Sequence, residues 1–348
     1  MHTPKPRVTL IVGGMYGSEG KGKVAGYLAS EFDIAVRIGA PNAGHSLKVG
    51  DNIWKMQQIP VAGLVNPDID LCIGPAGLIN LDILAKEMAY IQNIGDRLFI
   101  DRNAGILEHA HQLEEEQEKM FEGIGSTCEG CGAALKHKIS RKLDFRLAID
   151  IPELGPFITN VAHMLNNADK KKIMIEGTQG FMLSLNHGNY PFVTSRDIIA
   201  SSLLSDTGLA PSLVEDIIMV IRTYPIRVAG NSGPMCGKEI SWDIVKERGQ
   251  IPYKLKEQTT VTKRTRRVCE FDIGLIKKAC LINRPTQIAL MFADYVDYPI
   301  NYGKQKYEEL SIEMKSMIDK IEENTGVPVT LIGTGFDFEH MVDRRKGV

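Results

Sequence analysis

The sequence has 348 residues, of which 43% are hydrophobic and 24% are charged, an ordinary mixture for a folded globular protein. A formal net charge of −2 gives no whole-chain electrostatic reason to expect binding to nucleic acid or to a membrane surface. No apolar run approaches the length of a bilayer-spanning helix and the first residues show no signal-peptide pattern, so we expect a cytoplasmic protein.

Apolar runs rich in valine and isoleucine recur along the chain and predict buried strands. These runs cover residues 8–12, 35–38, 71–73, 98–100, 173–175, 217–221, 288–292 and 329–332. Helical spacing lies between many of them, at residues 24–31, 81–90, 157–165 and 309–321, and residues 108–122 predict a charged helix with a solvated face. The alternation predicts an α/β fold with a largely parallel central sheet covered by helices, in a single domain over residues 1–348.

A glycine-rich segment, GGMYGSEGKGK at residues 13–23, follows the first predicted strand and opens the first predicted helix. Its glycines allow tight turns and offer backbone N–H groups to an anion, and the helix N-terminus adds partial positive charge. Lys21 and Lys23 add formal charge. The segment is not a Walker A loop, which has glycine where Met15 stands and serine or threonine where Gly22 stands. We interpret it as a phosphate-binding loop rather than a plain turn with solvated lysines.

Two further segments contain candidate functional side chains. Residues 42–46, with the sequence NAGHS, directly follow a predicted strand, and His45 can donate a proton there at neutral pH, although a single histidine is more often structural. Cys128 and Cys131 form one CxxC with no second cysteine pair nearby. Since zinc needs about four ligands, we interpret both cysteines as plain loop thiols.

Together the first two segments resemble the adenylosuccinate synthetase family, which shows a G-D-E-G-K-G-K loop followed by N-A-G-H-T. The resemblance continues in family order to about residue 340. GST at residues 125–127 is similar to the family's phosphate-binding loop, and Arg141 falls where a family arginine reaches the partner subunit's nucleotide site. Further similar segments are EGTQG at 176–180, HGNYPFVTS at 187–195 and the arginine-rich TKRTRR at 262–267. The resemblance implies a fold related to P-loop proteins.

The resemblance also implies a two-step reaction. The γ-phosphoryl group of a nucleoside triphosphate goes to the purine 6-oxygen, and the aspartate amine then displaces phosphate at C6. Phosphoryl transfer needs positioning and charge neutralisation, which Lys21, the loop N–H groups and Mg²⁺ would supply. His45 would be the general acid on the 6-oxygen, with Ser18 and Gln179 as the remaining catalytic candidates. Arg266 would bind the dianionic aspartate, because guanidinium groups match carboxylates.

Position in the family's motifs assigns each binding site to residues of this sequence. The implied nucleotide phosphate loop is Gly17, Ser18, Glu19, Gly20, Lys21, Gly22 and Lys23. The implied purine monophosphate site is Asn42, Ser126, Thr127, Arg141, Gln179, Leu183, Thr194, Val228 and Arg264. The implied aspartate site is Thr260, Val261, Thr262, Arg264 and Arg266. Phe292, Asp294, Gly333 and Gly335 would hold the base of the donor nucleotide, and Ser18 with Gly44 would hold Mg²⁺.

The first departure from the family pattern is Ser18, which stands where the family has an aspartate. In the family that aspartate takes the N1 proton of IMP and helps to hold Mg²⁺. A serine hydroxyl is a very poor base, so the same reaction on IMP would lose roughly 10²–10⁴-fold. A shorter side chain leaves room at C2, where guanine carries an amino group that a hydroxyl can accept a hydrogen bond from. The phage 2-aminoadenylosuccinate synthetases, which act on dGMP, are similar in having a small residue there.

The second departure is MFAD at residues 291–294, where ordinary family members read the guanine of GTP with T-K-L-D. Phe292 replaces the lysine and presents a flat apolar face that can stack on any purine, or it is simply a core residue at a strand end. Asp294 is retained without its basic neighbour. We therefore expect relaxed use of ATP or dATP as the phosphoryl donor.

Three functions remain open from the sequence. The first is a ligase acting on dGMP and aspartate with ATP or dATP, for 2-aminoadenine DNA precursors, in the host cytoplasm if the gene is a bacteriophage's. The second is an ordinary adenylosuccinate synthetase using IMP, aspartate and GTP. The third is a catalytically silent purine-nucleotide-binding protein. If Arg141 acts on a partner's site, the protein is a homodimer.

Overall fold

The structure is a computed structural model that describes residues 5–258 and 265–345. Its strands are β1 (Arg7–Gly13), β2 (Ile34–Arg37), β3 (His45–Val49), β4 (Asn52–Met56), β5 (Asp70–Ile73), β6 (Leu78–Ile79), β7 (Leu98–Asp101), β8 (Gly105–Ile106), β9 (Ile158–Thr159), β10 (Lys172–Glu176), β11 (Val214–Arg222), β12 (Ile226–Arg227), β13 (Glu239–Ile240), β14 (Arg267–Cys269), β15 (Gln287–Met291), β16 (Val329–Gly333) and β17 (Met341–Asp343). Its helices are α1 (Lys21–Leu28), α2 (Leu81–Met88), α3 (Ile94–Arg97), α4 (His109–Gln117), α5 (Met120–Ile124), α6 (Cys131–Ile139), α7 (Val161–Asn166), α8 (Ala200–Thr207), α9 (Trp242–Arg248), α10 (Ile273–Asn283), α11 (Tyr298–Asn301) and α12 (Ile312–Thr325).

The central sheet of the described chain has ten strands in the order β17-β16-β15-β11-β1-β10-β2-β5-β7-β9. All neighbouring strands are parallel except β17, which runs antiparallel to β16 at one edge. Strand β1 lies near the middle, with Leu10 opposite Ile175 on one side and Ile217 on the other. The largely parallel, helix-covered sheet predicted from the apolar runs is therefore confirmed.

Both faces of the sheet are buried, which is why its strands are almost continuously apolar. On β1, Leu10 belongs to the core on the side of α10 and α12, while Ile11 belongs to the core on the side of α1. Val24 and Leu28 of α1 are fully buried against that second face. Each such side chain stabilises the fold by about 1.5–3 kcal/mol relative to leaving it in water.

Two predicted helices differ from the helices of the structure. The charged stretch 108–122 forms two helices, α4 and α5, because Lys119 between them has a left-handed backbone with φ 53°. The expectation of a solvated face there was wrong in part, since Glu115 is buried and accepts hydrogen bonds from the N–H groups of Gly130 at 2.9 Å and Gly132 at 2.7 Å. The helix predicted at 157–165 begins only at Val161, after the short strand β9.

Three small sheets accompany the central sheet in the described chain, one of them the short parallel pair of β6 and β8. The hairpin β3–β4 packs against α1 through Leu47, whose side chain reaches Gly26. Strands β12, β14 and β13 form an antiparallel sheet over a separate apolar cluster around Trp242. None of the helices in the described chain has the length and apolar character that crossing a bilayer requires.

Candidate active site

The glycine-rich loop joins the carboxyl end of β1 to the first turn of α1, at the middle of the sheet. Three residues of the loop have a left-handed backbone: Gly17 with φ 87°, Ser18 with φ 55° and Gly20 with φ 98°. Serine in this conformation is unusual, and strain of this kind concentrates at functional sites. The Ser18 side chain is exposed while its neighbours Gly17 and Glu19 are buried. The one loop side chain that differs from the family pattern therefore faces solvent at this edge.

Glu19 turns its carboxylate into its own loop. Its Oε1 atom accepts hydrogen bonds from the backbone N–H groups of Met15 at 3.1 Å and Gly17 at 2.8 Å, and its Oε2 atom accepts one from Lys21 Nζ at 2.6 Å. Lys21 also donates to the carbonyl of Gln179. Backbone N–H groups and a buried lysine that hold a carboxylate are donors of the kind a phosphate needs, and in this structure Glu19 occupies them.

A second buried charge cluster joins the ends of β2 and β10 to the start of β3. Glu176 lies fully buried between Arg37, which donates to its Oε1 atom, and His45, whose Nδ1 atom lies 2.5 Å from the same oxygen. Oε2 of Glu176 accepts the N–H of Val61 at 2.9 Å. Although burial raises the pKa of Glu176, Arg37 and His45 together hold it below its usual value.

Hydrogen-bond accounting fixes the tautomer of His45. Arg37 can only donate, so the proton on Nδ1 belongs to the bond with Glu176, and the approach of Arg37 Nη1 to Nδ1 at 2.9 Å is a contact without a hydrogen bond. Burial and then the Arg37 charge lower the pKa of His45 to about 4, against the opposing effect of Glu176. The ring is therefore neutral at pH 7 in this conformation, and Nε2 is the nitrogen left for a substrate.

Gln179 follows β10 and has a left-handed backbone with φ 47°. Its Nε2 atom donates to Asn42 Oδ1 at 3.2 Å, whereas its buried Oε1 atom has no hydrogen-bond partner among the described residues. A buried acceptor without a partner is costly, so this oxygen is suited to a donor group of a bound molecule. Leu183 lies beside Gly17, and its carbonyl accepts the N–H of Thr194 at 2.8 Å.

Two of the segments that contain predicted monophosphate residues, the loop at 125–127 and the segment of Val228, lie side by side. The loop at Ser126 and Thr127 lies beside Ser232, because a side chain on Gly125 would meet Ser232 at 3.2 Å. The Ser232 hydroxyl donates to the carbonyl of Val228 at 2.5 Å. Arg141 is exposed and follows the C-cap of α6.

Four predicted aspartate-site residues lie outside the described part of the chain: Thr260, Val261, Thr262 and Arg264. The described flanks approach each other, since Gln258 and Thr265 form an antiparallel bridge and the N–H of Arg266 donates to the Glu257 carbonyl at 2.8 Å. Burial lowers the pKa of Arg266, and its Nε atom donates to the Gln258 carbonyl at 3.4 Å.

The predicted donor-base residues meet at the carboxyl ends of β15 and β16. Phe292 follows β15 with a left-handed backbone of φ 65°, and one face of its ring is covered by the Arg222 guanidinium at 3.9 Å. Burial raises the pKa of Asp294 to about 6, with Lys23 opposing. Lys23 Nζ donates to the carbonyls of Gly335 at 2.6 Å and His340 at 2.7 Å, and burial lowers its pKa to about 8. Gly333 packs on the Met291 side chain, which a Cβ there would contact at 2.4 Å.

Three buried charged residues of this edge were assigned no role from the sequence: Arg37, Glu176 and Arg222. Each is the last residue of an apolar strand. Ligands bind at the carboxyl ends of parallel strands, so a charged residue that ends an apolar strand is a candidate for the site. The position of each of these charges at the end of an apolar run was visible in the sequence.

The oxygen donors at the loop fit a magnesium ion that arrives with nucleotide phosphates. Ser18 offers a hydroxyl, a ligand that phosphate loops supply to Mg²⁺, and Gly44 is exposed and offers a carbonyl. Glu19 is held by Lys21 and by loop N–H groups. Within residues 5–258 and 265–345 there is no cluster of three or more histidine, cysteine or acidic side chains placed to hold a metal by themselves, including at Cys128 and Cys131.

The sequence profile of the adenylosuccinate synthetase family matches residues 10–149 and 146–301. Among curated relatives, the adenylosuccinate synthetase of Methanocaldococcus jannaschii is 40% identical over 346 residues, which is 97% of each chain. Those of Methanococcus vannielii and Pyrococcus horikoshii are 39% and 36% identical, over 97% of this chain and 99% of each relative.

Two solved structures have similar folds. The fully ligated adenylosuccinate synthetase from Plasmodium falciparum has a TM-score of 0.86 at 23% identity and covers 97% of this chain and 100% of its own. The succinoaminodeoxyadenylate synthetase of cyanophage S-2L, bound to dGMP and dATP as an energy donor, has a TM-score of 0.82 at 28% identity. That match covers 97% of this chain and 95% of the cyanophage chain.

Proposed function

Because this chain belongs to the adenylosuccinate synthetase family and is a C–N bond-forming ligase, we propose that it joins L-aspartate to dGMP, with ATP or dATP as the phosphoryl donor. The product would be N6-succino-2-amino-2′-deoxyadenylate, a precursor of 2-aminoadenine DNA. The single observation that carries this choice is Ser18, exposed at the loop position where the resemblance places an aspartate. The dGMP bound to the cyanophage S-2L enzyme supports the choice.

In the first step the purine 6-oxygen attacks the γ-phosphorus of the donor. The new O6–P bond forms as the bond to the β-phosphate oxygen breaks, the nucleoside diphosphate leaves, and the N1 proton is released to solvent. Lys21 and the loop N–H groups of Met15 and Gly17 neutralise the transferring charge, which requires Glu19 to give up those donors. When bound, Mg²⁺ supplies further charge neutralisation.

In the second step the aspartate amine attacks C6. The N–C6 bond forms, the C6–O6 bond breaks, phosphate leaves, and the amine loses a proton. His45 faces the leaving oxygen through Nε2, while Glu176 holds its Nδ1–H and so fixes the ring. The phosphoryl charge on O6 favours the protonated ring, which offsets the burial that lowers the pKa of His45 in the free protein.

Ser18 affects the choice of the nucleotide that receives the phosphoryl group in two ways. It removes the positioned carboxylate that the family reaction on IMP uses, and its short side chain leaves space beside C2 of the purine. Its hydroxyl can accept a hydrogen bond from a 2-amino group, and the buried Gln179 Oε1 atom offers a second acceptor at the same edge of the sheet. A guanine nucleotide suits these oxygens better than IMP does, because both carry an N1–H but only guanine adds a 2-amino group.

The second candidate is an ordinary adenylosuccinate synthetase acting on IMP with GTP. The curated relatives favour it, because those 36–40% identical over 97% of the chain carry that name. Asp294 also favours GTP, since a buried carboxylate can accept the N–H groups of guanine. Phe292, by contrast, favours a donor site that also accepts ATP or dATP, because stacking on the ring alone does not distinguish one purine from another.

Purified protein incubated with aspartate and Mg²⁺ separates these functions. IMP or dGMP is crossed with GTP, ATP or dATP, and the succinylated product is measured by mass. We expect product from dGMP with ATP or dATP. Product from IMP alone would establish the ordinary synthetase, and nucleotide binding without product from any pair would establish a silent binding protein.

A variant of Ser18 tests the steric argument. Ser18→Asp restores the family's carboxylate and fills the space beside C2, so we expect dGMP turnover to fall by about 10²-fold while IMP turnover rises. Ser18→Ala is the matched control, because it keeps the space and removes only the hydroxyl. Unchanged dGMP turnover in Ser18→Asp would remove the steric reason for the proposal.

A homodimer would complete the monophosphate site. Arg141 is exposed, and it is flanked by the apolar Ile139 and Leu143, which are 69% and 105% exposed. Mixing inactive Arg141→Ala with inactive Lys21→Met should restore about a quarter of the activity, because half of the sites in mixed dimers are then intact. No recovery in mixed dimers would place Arg141 outside the partner's site.

A further inference from the structure

Arg227, the last residue of β12, directly precedes the predicted monophosphate residue Val228. It is 2% exposed, and its guanidinium holds two carbonyls from different parts of the chain. Nη1 donates to the carbonyl of Pro234 at 2.7 Å, and Nη2 donates to the carbonyl of Phe192 at 2.7 Å. The two nitrogens of the planar fork serve one carbonyl each, whereas a lysine offers a single nitrogen.

Both carbonyls belong to segments that contain predicted monophosphate residues. Phe192 is followed closely by Thr194, and Pro234 belongs to the segment that opens with Val228. The fork therefore joins the two segments and sets the separation between them.

The segment 228–238 depends on such support, because it has no regular structure of its own. All of its residues are described, and they form no helix or strand. The ring of Phe192 packs on the backbone of Gly233, where a Cβ would lie 2.5 Å from the ring. Asn231 donates to the carbonyl of Gly123 at 2.8 Å, just before the predicted phosphate-binding loop. Contacts with neighbouring segments therefore set the conformation of 228–238.

Tyr16 ties the same segment to the glycine-rich loop. Its side chain is 4% exposed, and its hydroxyl accepts the N–H of Cys236 at 2.7 Å. The Arg227 guanidinium lies over the Tyr16 ring, 5.0 Å from its centre, close enough for the cation to be attracted to the ring face. Tyr16 and Arg227 thus hold the segment 228–238 between the glycine-rich loop and the segment of Thr194.

We propose that Arg227, with the support of Tyr16, is a positioning residue for the acceptor nucleotide, the one that receives the phosphoryl group. It holds Val228 and Thr194 at the separation that the sugar and 5′-phosphate of this nucleotide require. The inference rests on the proposed function for the location of the acceptor site at these residues, and not for the choice of dGMP. Loss of the fork therefore weakens binding of dGMP and of IMP by the same factor and leaves the chemical step nearly unchanged.

The test compares Arg227→Lys with a matched variant at the opposite edge of the sheet. Arg97 is 7% exposed and precedes β7, at the amino ends of the strands. It donates from Nη1 to the Asn66 carbonyl at 2.9 Å and from Nη2 to the Gln92 carbonyl at 3.1 Å. Like Arg227, it has a buried Nε atom without a partner among the described residues. Arg97→Lys therefore removes the same kind of fork far from the predicted site.

We expect Arg227→Lys to raise the KM of the acceptor nucleotide about tenfold, with kcat within about threefold and the KM values of donor and aspartate within about twofold. Tyr16→Phe keeps the ring and loses the bond to Cys236, so it should raise the acceptor KM about threefold. Arg97→Lys should lower the Tm to an extent similar to Arg227→Lys and leave every KM unchanged.

An unchanged acceptor KM in folded Arg227→Lys, or an equal rise in all three KM values, would overturn the inference. A similar rise in Arg97→Lys would also overturn it, because acceptor binding would then only follow stability. If Arg227→Lys does not fold, Tyr16→Phe decides the matter by the same comparison.

Calorimetric dissociation constants of dGMP and IMP, measured without donor, separate this inference from the proposed function. Turnover of IMP but not of dGMP by the unaltered protein would overturn the choice of dGMP, and the ratio of IMP affinities between unaltered protein and Arg227→Lys would still decide the inference. Binding of neither nucleotide by the unaltered protein would overturn both.

Discussion

Two buried carboxylates at the carboxyl edge of the sheet are each paired with a basic side chain, but they find their partners at very different distances in sequence. Glu19 is paired within its own loop, to Lys21 two residues away and to the N–H groups of Met15 and Gly17. Glu176 is paired across the fold, to Arg37 and His45, which are 139 and 131 residues distant in sequence. Both are fully buried, so each depends on its partners.

Because of this difference, substrate must rearrange the hydrogen bonds around Glu19, whereas those around Glu176 are already in place. Glu19 occupies the donors that a phosphate needs, so nucleotide binding exchanges one anion for another. Glu176 also accepts the N–H of Val61, and it holds His45 in one tautomer, so it acts as fixed support. We expect variants of the first cluster to change nucleotide binding and stability together, and variants of the second to separate catalysis from stability.

The largest expected effect is that of His45→Asn. It removes the group that can transfer a proton while leaving the Arg37–Glu176 pair intact, so kcat should fall by roughly 10²–10⁴-fold. The free energy of unfolding, measured in urea, should change little by comparison. A kcat within tenfold of the unaltered protein would show that the long-range cluster is structural only.

Lys21→Met should reduce kcat by about 10²–10³-fold, because a charge aimed at the transferring phosphoryl group is lost. It also leaves Glu19 buried without its cation, which should lower the free energy of unfolding by about 3–5 kcal/mol. Adding Glu19→Gln should recover most of that stability and none of the activity. Recovery of activity as well would contradict a direct role for Lys21.

The pH dependence of stability tests the protonation state of His45 in the second cluster. Burial lowers the pKa of folded His45 to about 4, so between that pH and about 6.5 the unfolded chain binds a proton that the folded chain does not. The contribution of His45 to the free energy of unfolding is therefore fully present above about pH 6.5. It is lost as the pH falls, by at most about 1.4 kcal/mol per pH unit. Asp294, with its pKa raised to about 6, opposes this slope, so the measurement is the difference in urea unfolding between the unaltered protein and His45→Asn. Equal slopes from pH 4.5 to 6.5 would contradict the assignment.

The smallest expected effect is at an exposed ion pair outside both clusters. Lys171 and Asp33 approach to 3.3 Å with side chains 51% and 40% exposed, and solvent screens such a pair. Lys171→Ala should therefore change the free energy of unfolding by less than about 1 kcal/mol and leave kcat unaltered. A larger loss of stability would mean that burial is not what distinguishes the two clusters from this exposed pair.

Local pattern was enough to predict the framework. The apolar runs predicted eight strands of the central sheet, because strands buried on both faces must be apolar at nearly every position. Placement of the glycine-rich loop between β1 and α1 was also predicted correctly. The helix at 108–122 was predicted less well, because the break at Lys119 and the burial of Glu115 depend on packing against α6.

The sequence by itself determined the family, the parallel sheet and the loop whose glycines and lysines suit a phosphate, since these depend on residues close together in the chain. Only the tertiary structure decided which charges are paired. Arg37, His45 and Glu176 meet because parallel strands end at one edge, and Arg222 reaches Ser18 across 204 residues for the same reason. Contacts of this kind are set by strand order and register, which no local pattern specifies.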